Sequence, residues 1–168
     1  LQKFETLAKD FIAKDINTPE GQLSQAKEAY QALKKAEKLH FQGKDQQHPS
    51  AIKTLLKAMA ISAYSKGVLL EDSLNPLVFD LEMLAQSQAF YQFSIDIAPQ
   101  SALAYFGLSR LAQLENKSDS ALNFQKQGFD KYILESNDID RVYVHGRRLV
   151  QMYLSENKPQ WALLILTR

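Results

Sequence analysis

Apolar residues recur along this chain at intervals of three and four positions, the spacing that places side chains on one face of an α-helix. In the first such segment, Phe4, Leu7 and Phe11 fall on one side of the predicted helix. Nowhere in the sequence do apolar and polar residues alternate over several positions, as they do in a half-buried strand. The pattern therefore predicts an all-α fold.

Glycine and proline residues stand mainly at the breaks between these periodic segments, where helices end and begin. Thr18-Pro19, for example, combines a favourable N-cap residue with proline at the first helical position. About eight helices are predicted, over residues 2–14, 19–42, 50–66, 76–97, 101–115, 118–135, 138–156 and 159–168. The longest predicted connection runs from Gly67 to Asn75, and a polar run from Gly43 to His48 forms another loop. Such short connections favour antiparallel neighbours, so the third helix is expected to pair with the fourth.

A pattern of large and small residues repeats in the second half of the chain. Residues 101–134 carry it most clearly, through Tyr105, Leu108, Ser109, Ala112, Ala121, Phe124, Gln125 and Gly128. Residues 138–168 carry it again, through Leu149, Val150, Tyr153, Asn157 and Ala162. The segment 76–168 thereby resembles the tetratricopeptide repeat (TPR) family, whose unit of about 34 residues is a helix–turn–helix.

The resemblance implies a right-handed stack of antiparallel helical hairpins, which is a TPR-like α-solenoid. Small residues at 109, 121 and 128 are expected to let two helix axes approach closely. The sequence shows no internal boundary, so we expect residues 1–168 to form one helical-repeat domain that is part of a longer chain. An ordinary helical bundle is the alternative architecture.

The resemblance also implies a binding groove, because the first helix of each TPR hairpin lines the concave surface. The groove positions correspond here to Leu103, Phe106, Arg110, Gln113, Val144, Arg147, Arg148 and Gln151. This mixture of apolar, aromatic and guanidinium groups suits a peptide with an acidic segment or a carboxylate end. The sequence lacks the lysine and asparagine pattern of the family's carboxylate clamp. The alternative interpretation is that the arginines are solvated charges on the helix surface.

Charge and composition exclude several function classes. Lys and Arg total 20 and Asp and Glu total 19 among the 168 residues, so the sequence predicts no general field for nucleic acid. There is no cysteine for a thiolate metal site or nucleophile. No apolar run approaches the ~20 residues of a membrane span, so no membrane insertion is expected. No residue pattern indicates a compartment.

Motifs for catalysis are also lacking in the sequence. His40, His48 and His145 show no H-x-x-x-H spacing, and there is no glycine-rich phosphate loop or nucleophile elbow. We therefore expect no catalytic residue, no metal and no cofactor, and hence a chain that is not an enzyme.

Three functions from different classes stay open. The first is a protein-interaction module that binds a peptide or partner protein in the groove, and the second is a structural or self-assembling scaffold segment. The third is a small-ligand sensor with a pocket among the central aromatic residues Phe90, Tyr91, Phe93, Tyr105, Phe106, Phe124, Phe129 and Tyr132.

The C-terminal segment bears on the second of these functions. Residues 159–168 are apolar on almost every side, with Trp161, Leu163 and Leu166 among them. A short helix of this kind predicts an exposed apolar patch, covered either by further helices of a longer chain or by a second copy.

Overall fold

A computed structural model describes residues 1–13, 18–40, 50–74, 80–136 and 138–167. Within these ranges every regular element is helical, which confirms the all-α prediction. The eight helices are α1 (Gln2–Ala13), α2 (Pro19–His40), α3 (Ser50–Asp72), α4 (Leu81–Ile97), α5 (Ala102–Leu114), α6 (Ser118–Glu135), α7 (Ile139–Ser155) and α8 (Pro159–Leu166). Among them, none combines the length and the apolar character that a bilayer span requires.

Local sequence signals account for several of the helix ends. Helices α5, α6 and α7 begin and end within one residue of the predicted positions. Helix α4 begins after Asp80, whose side chain accepts a hydrogen bond from the Met83 backbone N–H at 3.0 Å, as an N-cap does. The predicted Gly43–His48 loop and the predicted helix start at Asn75-Pro76 lie outside the described residues.

The predicted end of the third helix at residue 66 is wrong, because α3 continues through Gly67 to Asp72. Gly67 is buried against α4, where a Cβ atom would lie 2.8 Å from Cε1 of Tyr91. Ser87 donates a hydrogen bond to the Gly67 carbonyl at 2.8 Å, and the Tyr91 hydroxyl donates to Glu71. Gly67 therefore permits a close helix contact, whose packing outweighs the roughly 0.5–1 kcal/mol that glycine costs inside a helix.

Contacts within the structure divide the chain into two compact units, Leu1–Pro99 and Gln100–Arg168. The sequence predicted one domain without an internal boundary. No composition shift or linker marks the division, because it follows from which helices pack together. The first unit holds α1 to α4 and the second holds α5 to α8.

In the first unit, α3 packs along α4, which confirms the predicted pairing, and α1 packs against α2. Contacts of α1 with α3 and of α2 with α4 join the two hairpins. Phe11 and Phe93 meet edge to face in the core, with ring centroids 6.4 Å apart. The Ser94 hydroxyl donates a hydrogen bond to the Ala60 carbonyl at 2.9 Å. Like Ser87, it therefore joins α4 to the backbone of α3.

In the second unit, small residues mark the contact between α5 and α6, as the repeat pattern predicted. Ser109 donates a hydrogen bond to the Ala121 carbonyl at 2.8 Å, and both residues are buried. A Cβ atom on Gly128 would lie 2.7 Å from Cε1 of Phe106. Residue 106 of α5 contacts residue 128 of α6, and residue 109 contacts residue 121. Because the order is reversed, the two helices are antiparallel. Helix α7 then packs on α6 and on α8.

The contact at Gly67 generates a first testable prediction. Gly67→Ala should lower the free energy of unfolding by ~1–3 kcal/mol, because the buried Tyr91 ring leaves no room for a methyl group. Urea denaturation of the parent, Gly67→Ala, Tyr91→Leu and the double variant would form a double-mutant cycle. In the Tyr91→Leu background, Gly67→Ala should no longer lower the free energy of unfolding. An equal loss in both backgrounds would show that the Tyr91 ring is not its cause.

Ala121 generates a second prediction, since it is buried at the α5–α6 contact. Ala121→Leu should cost ~1–3 kcal/mol through overpacking and lower the melting temperature. Asn123→Leu, which introduces the same side chain at an exposed position of α6, is the matched control. Equal melting temperatures for the two variants would show that position 121 is not a tight contact.

Candidate functional site

Helices α5 and α7 each carry a line of residues at i, i+4 and i+7, the spacing that places them on one helix face. The two lines are Phe106, Arg110 and Gln113 on α5 and Arg141, His145 and Arg148 on α7.

Two side-chain contacts bring these lines together. The ring of Phe106 stacks on the imidazole of His145, with centroids 3.8 Å apart and planes 4° from parallel. Further along, Nη2 of Arg148 donates a hydrogen bond to Oε1 of Gln113 at 2.7 Å. Both contacts follow the same order along the two helices, so α5 and α7 point in the same general direction where these side chains meet. Tyr132 of α6 borders the stack, with its ring centroid 5.2 Å from that of His145.

The positive charges that act on His145 come from both helices. Burial lowers the pKa of His145 below its ordinary value, and the positive charges of Arg148, Arg110 and Arg141 lower it further. Arg141 also forms an ion pair with Asp138, the N-cap residue of α7, at 3.3 Å. Three guanidinium groups from two helices therefore act on one imidazole. We call the surface formed by Arg110, Gln113, Arg141, His145 and Arg148 the basic seam.

The structure brings together three of the eight groove positions predicted from sequence, namely Arg110, Gln113 and Arg148. Phe106 requires a correction. Its side chain is only 3% exposed, so it packs beneath the seam instead of lining an open groove. Leu103 is exposed on α5, and Val144 and Gln151 are exposed on α7.

Arg147 is not part of the basic seam. Consecutive residues of an α-helix are about 100° apart around its axis, and Arg148 is the residue that reaches α5. Arg147 is exposed and shares its side of α7 with the exposed residues Tyr143 and Leu154. The three predicted arginines therefore divide between two faces.

Sequence reasoning missed two members of the seam, Arg141 and His145. The signal was the shared i, i+4, i+7 spacing, which occurs on both helices but gains meaning only when the helices are adjacent. His145, which has no ligand spacing in the sequence, is half-buried.

No protein-family model, curated protein or solved structure matches this chain. The described residues contain no cluster of three or more histidine or carboxylate side chains arranged to hold a metal.

The lowered pKa of His145 predicts a pH-dependent stability. Because the folded chain binds this proton more weakly than the unfolded chain does, the free energy of unfolding should fall as the pH drops below about 6.5. The loss should level off once folded His145 is also protonated. Thermal melts of the parent and of His145→Gln between neutral and mildly acidic pH would test this. The variant should show the flatter dependence, and parallel curves would contradict the assignment to His145.

Proposed function

We propose that this chain is a non-catalytic protein-interaction module, built as a right-handed stack of TPR-like hairpins, that binds an acidic segment of a partner protein at the basic seam. One observation carries the proposal. The first helices of two successive hairpins bring Arg110 and Arg148 close enough to His145 for both charges to lower its pKa, and Arg148 bonds across to Gln113. A carboxylate placed there would meet guanidinium groups from both hairpins.

A repeated turn supports the repeat architecture. Glu-Asn-Lys occurs at the end of α5 and again at the end of α7, with Asn116 and Asn157 both at φ 58°. In each turn the lysine N–H donates to the carbonyl five residues earlier at 2.8 Å, from Lys117 to Ala112 and from Lys158 to Tyr153. The asparagines lie 41 residues apart (157 − 116). Ala121 and Ala162, which are buried in the helices that follow these turns, have the same separation.

The side-chain contacts between α5 and α7 support the placement of the binding surface. In a stack of hairpins, the first helices of successive units are neighbours, and they line one surface together. Here the stack of Phe106 on His145 and the bond between Arg148 and Gln113 join those two helices directly.

The chemistry of the seam favours carboxylates as ligands. Guanidinium groups bind carboxylates through paired N–H···O bonds, and such charge-assisted bonds are stronger than neutral ones. Gln113 holds Arg148 through its side-chain oxygen, which reduces the freedom that Arg148 would lose on binding. Because the chain is close to neutral overall, the attraction would be local.

The scaffold alternative has an observation of its own in α8. Trp161, Leu163 and Leu166 are 46%, 63% and 70% exposed, so the predicted apolar patch is present on the isolated chain. The ligand-sensor alternative has less support. Phe90, Tyr91 and Phe93 are core residues of the first unit, and Phe106 and Phe129 are core residues of the second.

Peptide binding tests the proposal. A fluorescent aspartate- and glutamate-rich peptide with a free carboxyl terminus should bind the parent chain, and its amidated Asn/Gln counterpart should bind more weakly. Arg110→Gln/Arg148→Gln should weaken binding of the acidic peptide at least about tenfold, since charged hydrogen bonds contribute ~1.5–3 kcal/mol each. Affinity should also fall with added salt.

Two further measurements make the result specific to the seam. Lys53→Gln/Lys57→Gln removes the same charge from exposed positions of α3 and should bind like the parent. The bound peptide's negative charge should raise the pKa of His145, which an NMR titration of its ring protons would show. Unchanged affinity in the double arginine variant, or an unchanged His145 pKa, would overturn the proposal.

A further inference from the structure

The side of α7 that turns away from the basic seam has a different chemistry. Tyr143, Arg147, Gln151 and Leu154 follow one another at intervals of four, four and three residues, so they lie on one face of the helix. Tyr143 is 68% exposed and Leu154 is 54% exposed. We call these four residues the outer face of α7. Its two apolar members lie on either side of one arginine along the helix.

The repeated turn relates this outer face to a covered surface of α5. The 41-residue offset between the two asparagines places Tyr143, Arg147, Gln151 and Leu154 in register with Ala102, Phe106, Arg110 and Gln113. Two of those α5 residues, Phe106 and Gln113, contact α7. Ala102 and Phe106 are buried, Phe106 stacks on His145, and Gln113 bonds to Arg148. The outer face of α7 thus corresponds to a surface that receives a helix in the preceding hairpin.

We propose that the outer face of α7 is a docking site for an amphipathic helix of another protein, which carries an aspartate or glutamate opposite Arg147 and apolar residues on either side of it. Phe106 stacks on the aromatic ring of His145 on α7. Arg147 occupies the equivalent position on α7, so a helix that covers it requires a negatively charged side chain opposite the guanidinium group. Covering an arginine without such a partner would leave its charge desolvated, at a cost that opposes binding.

The position of Arg147 also argues against a second copy of this chain as the occupant. A closed dimer uses the same face on both subunits. Parallel pairing of two outer faces would set Arg147 against its counterpart, and antiparallel pairing would bring the two within about one helical turn. Like charges that close oppose association, so the face selects a partner of opposite charge.

The docking site is distinct from the basic seam, since the two lie on different sides of α7. Arg148 reaches α5 and acts on His145, whereas Arg147 is exposed between Tyr143 and Leu154. A helix on the outer face and an acidic segment at the seam would make separate contacts.

A pair of designed helical peptides tests the docking site on the full chain. The first peptide has a single glutamate on its apolar face. Leucines lie one turn before this glutamate and one and two turns after it, and the opposite face carries glutamine and lysine. The second has lysine in place of that glutamate. Fluorescence anisotropy should show binding of the glutamate peptide to the parent chain, with the lysine peptide weaker by about tenfold or more.

Charge reversal then locates the contact. Arg147→Glu should weaken binding of the glutamate peptide about tenfold and should reverse the order of the two peptides. Leu154→Asp should abolish binding of both peptides, because it places a charge in the apolar contact. Lys53→Glu, a reversal on α3, should match the parent. Circular dichroism of each variant checks that helicity is intact, as expected at these exposed positions.

Three results would each overturn the proposal. The parent chain could fail to bind the glutamate peptide, or Arg147→Glu could bind both peptides as the parent does. Sedimentation velocity could also show a dimer of the parent that Leu154→Asp dissociates, which would mean that a second copy occupies the outer face.

Discussion

The second unit depends on the position of one aromatic ring. Phe106 lies against α6 at Gly128, where any Cβ atom would clash with it, and it also stacks on the imidazole of His145 on α7. A single side chain thereby contacts both neighbouring helices, together with the Ser109–Ala121 bond to α6 and the Gln113–Arg148 bond to α7. Because packed interiors leave little room for such a ring to shift, the positions of the arginines on α7 follow from this contact.

The same contact sets the electrostatics of the surface. His145 is half-buried among Arg110, Arg141 and Arg148, and both burial and these charges lower its pKa. A neutral imidazole near pH 7 can stack on Phe106 without adding a fourth positive charge to the seam. An anion bound at the seam would favour the protonated form, so ligand binding and protonation are coupled.

Helix geometry gives α7 two faces with different chemistry. Arg147 and Arg148 are adjacent in sequence, yet Arg148 joins α5 and Arg147 lies between exposed apolar residues. In the proposed function, the basic seam binds an acidic segment. The outer face is then free for a helix that carries a single acidic residue among apolar ones. One helix could in this way contribute to two contacts that respond differently to salt, because burial of apolar area depends less on screening than exposed charge does.

The sequence by itself determined the helices of the second unit and the small residues at their contacts. Apolar periodicity and local caps depend on neighbours a few residues away, so 109, 121 and 128 could be assigned to a helix contact in advance. The end of α3 could not, because the role of Gly67 depends on Tyr91 of another helix. The repeat resemblance predicted three members of the seam, Arg110, Gln113 and Arg148. It did not predict Arg141 and His145, since the members of the seam meet only when α5 and α7 are adjacent. Which arginines share a face was decided by contacts between residues 35 or more positions apart, such as Arg148 with Gln113. Periodicity places a residue on a side of its own helix, but only tertiary packing decides what that side faces.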